Sequence, residues 1–178
     1  MMKVTKWFTK EECLEAMKEF PKRFEAKDLD GLKDAVFYFQ ATFGAIYSSK
    51  KLDEDDDKYE LWENLADNLE EYESIAYFVE IRAEGGPKIV FYLSEDEQKL
   101  GLWEGEWDKE TAKEAVEAKN YVWMDWVPSC QLQIMMGNPN TDAQFFSGEL
   151  KVDGSIKLAS MPRQLGYDFF EFMDIEID

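Results

Sequence analysis

The sequence has no histidine, so neither a Ser-His-Asp or Cys-His relay nor a His-containing zinc site can be built from it. Its two cysteines, Cys13 and Cys130, lie far apart with no local pairing motif, and two thiols make no disulfide framework. Both read as buried thiols. No uncharged run approaches the length of a membrane span, and the N-terminus, MMKVTKWFTKEEC, turns acidic and amphipathic where a signal peptide needs an apolar stretch. The sequence therefore predicts a soluble cytoplasmic protein with no stable membrane insertion. Basic residues are also scarce: 20 Lys and Arg stand against 39 Asp and Glu, a net charge of -19 that repels nucleic-acid phosphate and the anionic face of a membrane. Nucleic acid is a poor partner on that ground. Arginine occurs only at Arg23, Arg82 and Arg163, and lysine supplies nearly all the positive charge, which argues against halophilic adaptation as the source of the acidity.

What is present is enough to fold. Hydrophobic residues make up 45% of the chain and aromatic residues 15%, sufficient for a sizeable core in a single domain spanning 1–178. Thr9-Lys10-Glu11-Glu12 is a capping box, and Cys13, Leu14, Met17 and Phe20 then repeat at helical spacing until Pro21. From Ala35 to Tyr47, Phe37, Phe39, Ala41 and Phe43 alternate with Val36, Tyr38, Gln40 and Thr42, a pattern that predicts a strand. Ser48 to Lys58 breaks it with the charge run SSKKLDEDDDK, expected to be mobile, and Leu61, Trp62, Leu65 and Leu69 predict a helix to Tyr72. The segment 48–72 reads as an acidic loop and helix inserted into a compact domain. Ile75 to Arg82 and Lys88 to Leu93 form a hairpin around Glu84-Gly85-Gly86-Pro87, with Glu80 and Arg82 on the wet side of the first strand. Leu100 to Trp107 predicts a further strand, Lys109 to Ala118 a helix, Tyr121 to Val127 a strand and Ser129 to Met136 a helix.

Two acidic motifs carry candidate chemistry. Asp53, Asp55 and Asp57 imitate the first three ligands of a calcium loop, but Lys58 takes the place of its glycine and Asn64 that of its bidentate glutamate, so a solvated loop is expected and no metal site is assigned. Glu104 and Glu106 stand between Trp103 and Trp107, an arrangement that suits a glycosidase, in which Trp stacks sugar and paired acids act on the bond. Alternation along a strand alone also puts them on one side. An exposed acidic face beside aromatic anchors is therefore the plainer reading, and no catalytic residue is assigned.

The most organised stretch runs from Gly137 to Leu165. Gly148 closes a short helix from Thr141 to Ser147, Glu149 to Asp153 alternates outward charges with inward Leu150 and Val152, and Asp153-Gly154 turns that strand. Ser155 suits the N-cap of a last helix with Leu158, Met161, Leu165, Phe169 and Phe172 on one stripe, interrupted by Pro162. At these residues the chain resembles the sterol-carrier-protein-2-like lipid-binding domains. That family carries a Gly, an Ala-Phe pair, a Gly-Lys-φ-Lys-φ-x-Gly strand and a helix opening in small and aliphatic residues. Gly137, Phe145, Gly148, Leu150, Lys151, Val152, Gly154, Leu158 and Ala159 stand in matching positions without a gap, while Gln144 and Glu149 depart from the pattern.

The chain itself predicts an α+β fold with a single mixed or antiparallel sheet of about five or six strands and helices packed on one face. The resemblance implies a hydrophobic tunnel between that sheet and the C-terminal helices. Its expected wall is made of Phe37, Phe39 and Phe43, then Tyr77, Val79, Phe91 and Met124, then Leu132, Met135 and Phe145, and finally Leu158, Met161 and Leu165. The same residues also suit a solid core, and periodicity does not separate the two. If there is a tunnel, the implied function is that of a non-catalytic carrier of a fatty acyl, sterol-like or isoprenoid lipid, with no cofactor. A ten-carbon tail is worth about 8 kcal/mol at about 0.8 kcal/mol per buried CH₂, so little polar recognition is needed. The other reading is an accessory interaction module with a solid core, whose acidic face docks a basic protein or a second copy of the chain.

Overall fold

The computed structural model describes residues 1–177. A short strand β1 (Lys3–Trp7) precedes three helices, α1 (Lys10–Ala26), α2 (Ala35–Lys50) and α3 (Glu60–Tyr72). Strands β2 (Ser74–Ile81), β3 (Lys88–Ser94) and β4 (Gln98–Glu104) follow, then helix α4 (Lys109–Ala115), strand β5 (Asn120–Trp126) and helices α5 (Pro128–Met135) and α6 (Asp142–Ser147). The chain ends in strand β6 (Leu150–Asp153) and helices α7 (Ile156–Ala159) and α8 (Met161–Phe172). The six strands form one sheet in the order β1-β4-β3-β2-β5-β6, in which β2 and β5 run parallel and every other pair is antiparallel.

Period-2 patterning decides which face each side chain meets. Ile75, Tyr77, Val79 and Ile81 of β2 point into the main core beneath α1, α2, α3 and α8, together with Phe91 of β3 and Met124 of β5. Register brings Tyr77 opposite both Phe91 and Val122, and the Tyr77 and Phe91 rings stack with centroids 4.7 Å apart. Ala76 and Phe78 point the other way, into a smaller core with Met2, Val90, Trp103 and Ala112 of α4. That second face is therefore not the plain wet surface expected from Glu80. The Trp123 indole donates to Glu80 Oε2 at 2.6 Å, and Trp107 stacks on Trp123.

The segment from Ala35 is a helix, contrary to the strand expected there. Every residue from Ala41 to Tyr47 is buried, so α2 has no polar face. A helix apolar all round lacks a 3.6-residue pattern, and its alternating aromatics then imitate a strand. The helix also runs on through Lys50 into the supposed loop. Ser49 is buried, its hydroxyl donates to the Lys58 carbonyl at 2.7 Å and accepts from the Trp62 amide at 3.0 Å, tying both ends of that loop together. Helix α3 then buries Leu61, Trp62, Leu65 and Leu69. Likewise α1 does not stop at Pro21 but continues to Ala26. The ring costs a helix about 3 kcal/mol, and Phe20 and Phe24, which both pack on Phe170, offset it. Strand β1, whose sequence carries little apolar signal, pairs with β4.

Helices α1 and α2 cross closely because Gly44 has no side chain. A Cβ there would lie 2.3 Å from the Cys13 carbonyl oxygen and 2.8 Å from Met17 Cβ. Gly44→Ala is expected to push the helices apart and lower stability by about 1–3 kcal/mol, read as a lower urea midpoint; an unchanged midpoint would show that the crossing is not held at this distance. Among the described residues no helix is long and apolar enough to cross a membrane.

Candidate functional site

An apolar cavity of about 60 Å³ lies between the sheet and the C-terminal helices. Its α2 wall is Tyr38, Phe39, Thr42 and Phe43, and its sheet wall is Phe91, Met124, Trp126 and Leu150. The first set follows from helical spacing: 38 with 42 and 39 with 43 are i,i+4 pairs, so the four share one face. The second follows from pairing, since β5 and β6 set Trp126 opposite Leu150. Ala159, Leu165 and Gly166 cover the cavity from α7 and α8, and Pro139, Thr141, Pro162 and Arg163 lie in its wall where the loop after α5 meets α8. The Thr42 hydroxyl donates to the Tyr38 carbonyl at 3.0 Å, which satisfies it within α2.

The residues carrying the family resemblance shape this wall. Gly148 at φ 84° ends α6 in the left-handed conformation, and Gly154 at φ 125° turns β6 into α7; a side chain is strained at both. The Ser155 hydroxyl accepts from the Leu158 amide and caps α7 as expected. Pro162 then starts α8 rather than kinking one long helix. The Tyr77 hydroxyl donates to the Leu158 carbonyl at 2.7 Å, fixing α7 to the sheet.

Of the expected wall residues, Phe39, Phe43, Phe91, Met124 and Leu165 line the cavity. Tyr77, Val79, Met135 and Leu158 are buried in the core behind it. Phe37 faces α1, stacked on Phe20 and covered by the Arg23 guanidinium. Leu132 is 37% exposed and Phe145 is 40% exposed, its ring edge-on to Phe146, so both lie away from the hollow. Met161 sits instead in the seam between α3 and α8, beside Asn64, Leu65 and Asn68. Tyr38 and Thr42 escaped sequence reading because a strand put them opposite Phe39. Trp126 was legible by alternation from Met124. Arg163 and Gly166 gave no signal in an apolar stripe.

The other candidate sites are not assembled. Strand β4 ends at Glu104, and Gly105 at φ 100° turns the chain, so Glu104 and Glu106 are not alternate residues of one strand. Glu104 pairs with Lys3 at 3.1 Å in solvent, while the Trp107 indole donates to Asp153. Among the described residues no three acidic or cysteine side chains converge as a metal-holding group. Burial pushes the Cys13 and Cys130 thiols up to about 12, which keeps both protonated and poor nucleophiles.

No family model and no curated protein matches the chain. Among solved structures it is similar to sterol carrier protein 2 from Yarrowia lipolytica (apo form), with 16% identity, 72% of this chain and 89% of that chain covered, and a TM-score of 0.42. It is also similar to the solution structure of the sterol carrier protein domain 2 of Helicoverpa armigera, with 14% identity, 84% and 98% coverage, and a TM-score of 0.41. The fold itself is α+β, one mixed six-stranded sheet with most of its helices on one face.

Proposed function

We propose that this chain is a non-catalytic carrier that holds the hydrocarbon part of a small lipid between the sheet and α7–α8. The observation that carries this reading is the cavity itself, whose wall is almost wholly aliphatic and aromatic. Transfer of an acyl or isoprenoid tail into such a wall is favourable by about 0.8 kcal/mol per CH₂ and needs no bond chemistry. At about 60 Å³ the hollow is small beside the roughly 300–1,000 Å³ of ligand pockets, so a lipid must widen it. The element best placed to yield is α6, which follows Thr141 of the cavity wall and has no buried residue. Segments with little burial open at least cost.

Native mass spectrometry of freshly purified chain tests the proposal. A retained lipid-sized mass that denaturation releases is the expected result. A chain that carries no such mass, and that also fails to take up a fluorescent fatty acid or sterol, would return the apolar set to the role of a solid core.

A further inference from the structure

The three arginines differ in how their donors are used. The Arg23 guanidinium takes Asp34 with two nitrogens at 3.0 Å each and adds the Asp28 carboxylate and carbonyl. Arg82 grips Asp125 through Nε and Nη2 and also reaches the Gly148 carbonyl. Arg163 makes a single contact, from Nη2 to Oδ1 of Asp142 on α6, and its Nε is buried with no partner. Among the described residues it is also the only charged one in the cavity wall. Its side chain is 33% exposed, so it spans from the hollow to solvent, and Asp142 is 59% exposed, which makes their pair weak. Nearby Thr141 lies in the same wall, and its side chain makes no capping bond to α6.

We infer that Arg163, with Thr141 beside it, anchors the oxyanion head of a single-chain amphiphile whose tail fills the cavity. This deepens the carrier proposal and rests on it. A guanidinium presents parallel N–H donors that match two oxygens of a carboxylate or phosphate, and a buried unpartnered Nε–H is costly until an acceptor arrives. The head would take Nε and share or displace Asp142 at Nη2, leaving the charge at the solvent edge and the chain inside. A hydroxyl head, as in a sterol or isoprenol, offers no charge to this site.

The test compares dodecanoate, dodecyl phosphate and dodecanol by titration calorimetry below their micelle concentrations, at about pH 8 where the carboxylate is ionised. The wild type is expected to bind at least one anionic amphiphile about tenfold tighter than the alcohol, the worth of one charge-assisted hydrogen bond at a partly exposed site. Whichever anion binds tighter names the source of the head. Arg163→Gln should lower binding of the anions to the level of the alcohol and so erase that preference. Asp142→Asn, which frees Nη2 without touching the cavity wall, should widen it about threefold, and it carries the test if the arginine variant does not fold. Equal binding of alcohol and anions by wild type, or loss of all three together in Arg163→Gln, would overturn the anchor while leaving the carrier proposal standing. Binding of none of the three would overturn both.

Discussion

Ala159→Leu is expected to weaken binding of dodecanol by at least about tenfold while leaving the free protein as stable or more stable by about 0.5–2 kcal/mol. Ala159 lies in the cavity wall at the end of α7, where the Tyr77 hydrogen bond to Leu158 holds the backbone in place. The added carbons therefore fill the hollow rather than move the helix. Filling an existing void recovers dispersion contacts and removes the space a tail would occupy. In a site without such a void the same change overpacks and costs about 1–3 kcal/mol. A destabilised variant that binds the probe as wild type does would place the lipid elsewhere. Met161 is no substitute for this experiment, because it reports on the α3–α8 seam.

The largest loss of stability is expected for Phe20→Ala, about 3–5 kcal/mol, measured as a fall in the urea midpoint. Phe20 is fully buried where α1, α2 and α8 meet. Its ring is edge-on to Phe169 with centroids 5.0 Å apart and to Phe170 at 5.9 Å, and lies 6.1 Å from those of Phe37 and Tyr38. Alanine leaves a space that four rigid rings cannot all close. Phe146→Ala serves as the contrast. That ring is 84% exposed on α6, and its loss should change stability by no more than about 0.5 kcal/mol. A small effect for Phe20 would mean that α8 is not held by this cluster.

Local chemistry was legible wherever one residue dictates it. The capping box at Thr9 forms as its spacing requires, as do the glycine turns at Gly148 and Gly154 and the Ser155 cap. What was not legible depended on burial. Helix α2 is surrounded, so polarity gave no phase, and reading it as a strand split Tyr38 and Thr42 from Phe39 and Phe43, which together form the α2 wall of the cavity. The same limit applies to Phe145 and Leu132, apolar residues whose exposure is decided by neighbours and not by type. Arg163 was invisible for the opposite reason: a charge in an amphipathic helix looks solvated until tertiary structure shows a buried nitrogen without a partner.

The one parallel pair of strands has a consequence for the order in which the molecule is made. Strands β2 and β5 are joined by a long excursion through β3, β4 and α4, whereas α1 and α2 meet across a short connection. Local pairings close early and distant ones late, because loop closure must precede the contacts that reward it. The α2 face of the hollow is therefore expected to form before β5 aligns with β2, since its contacts close the shorter loops.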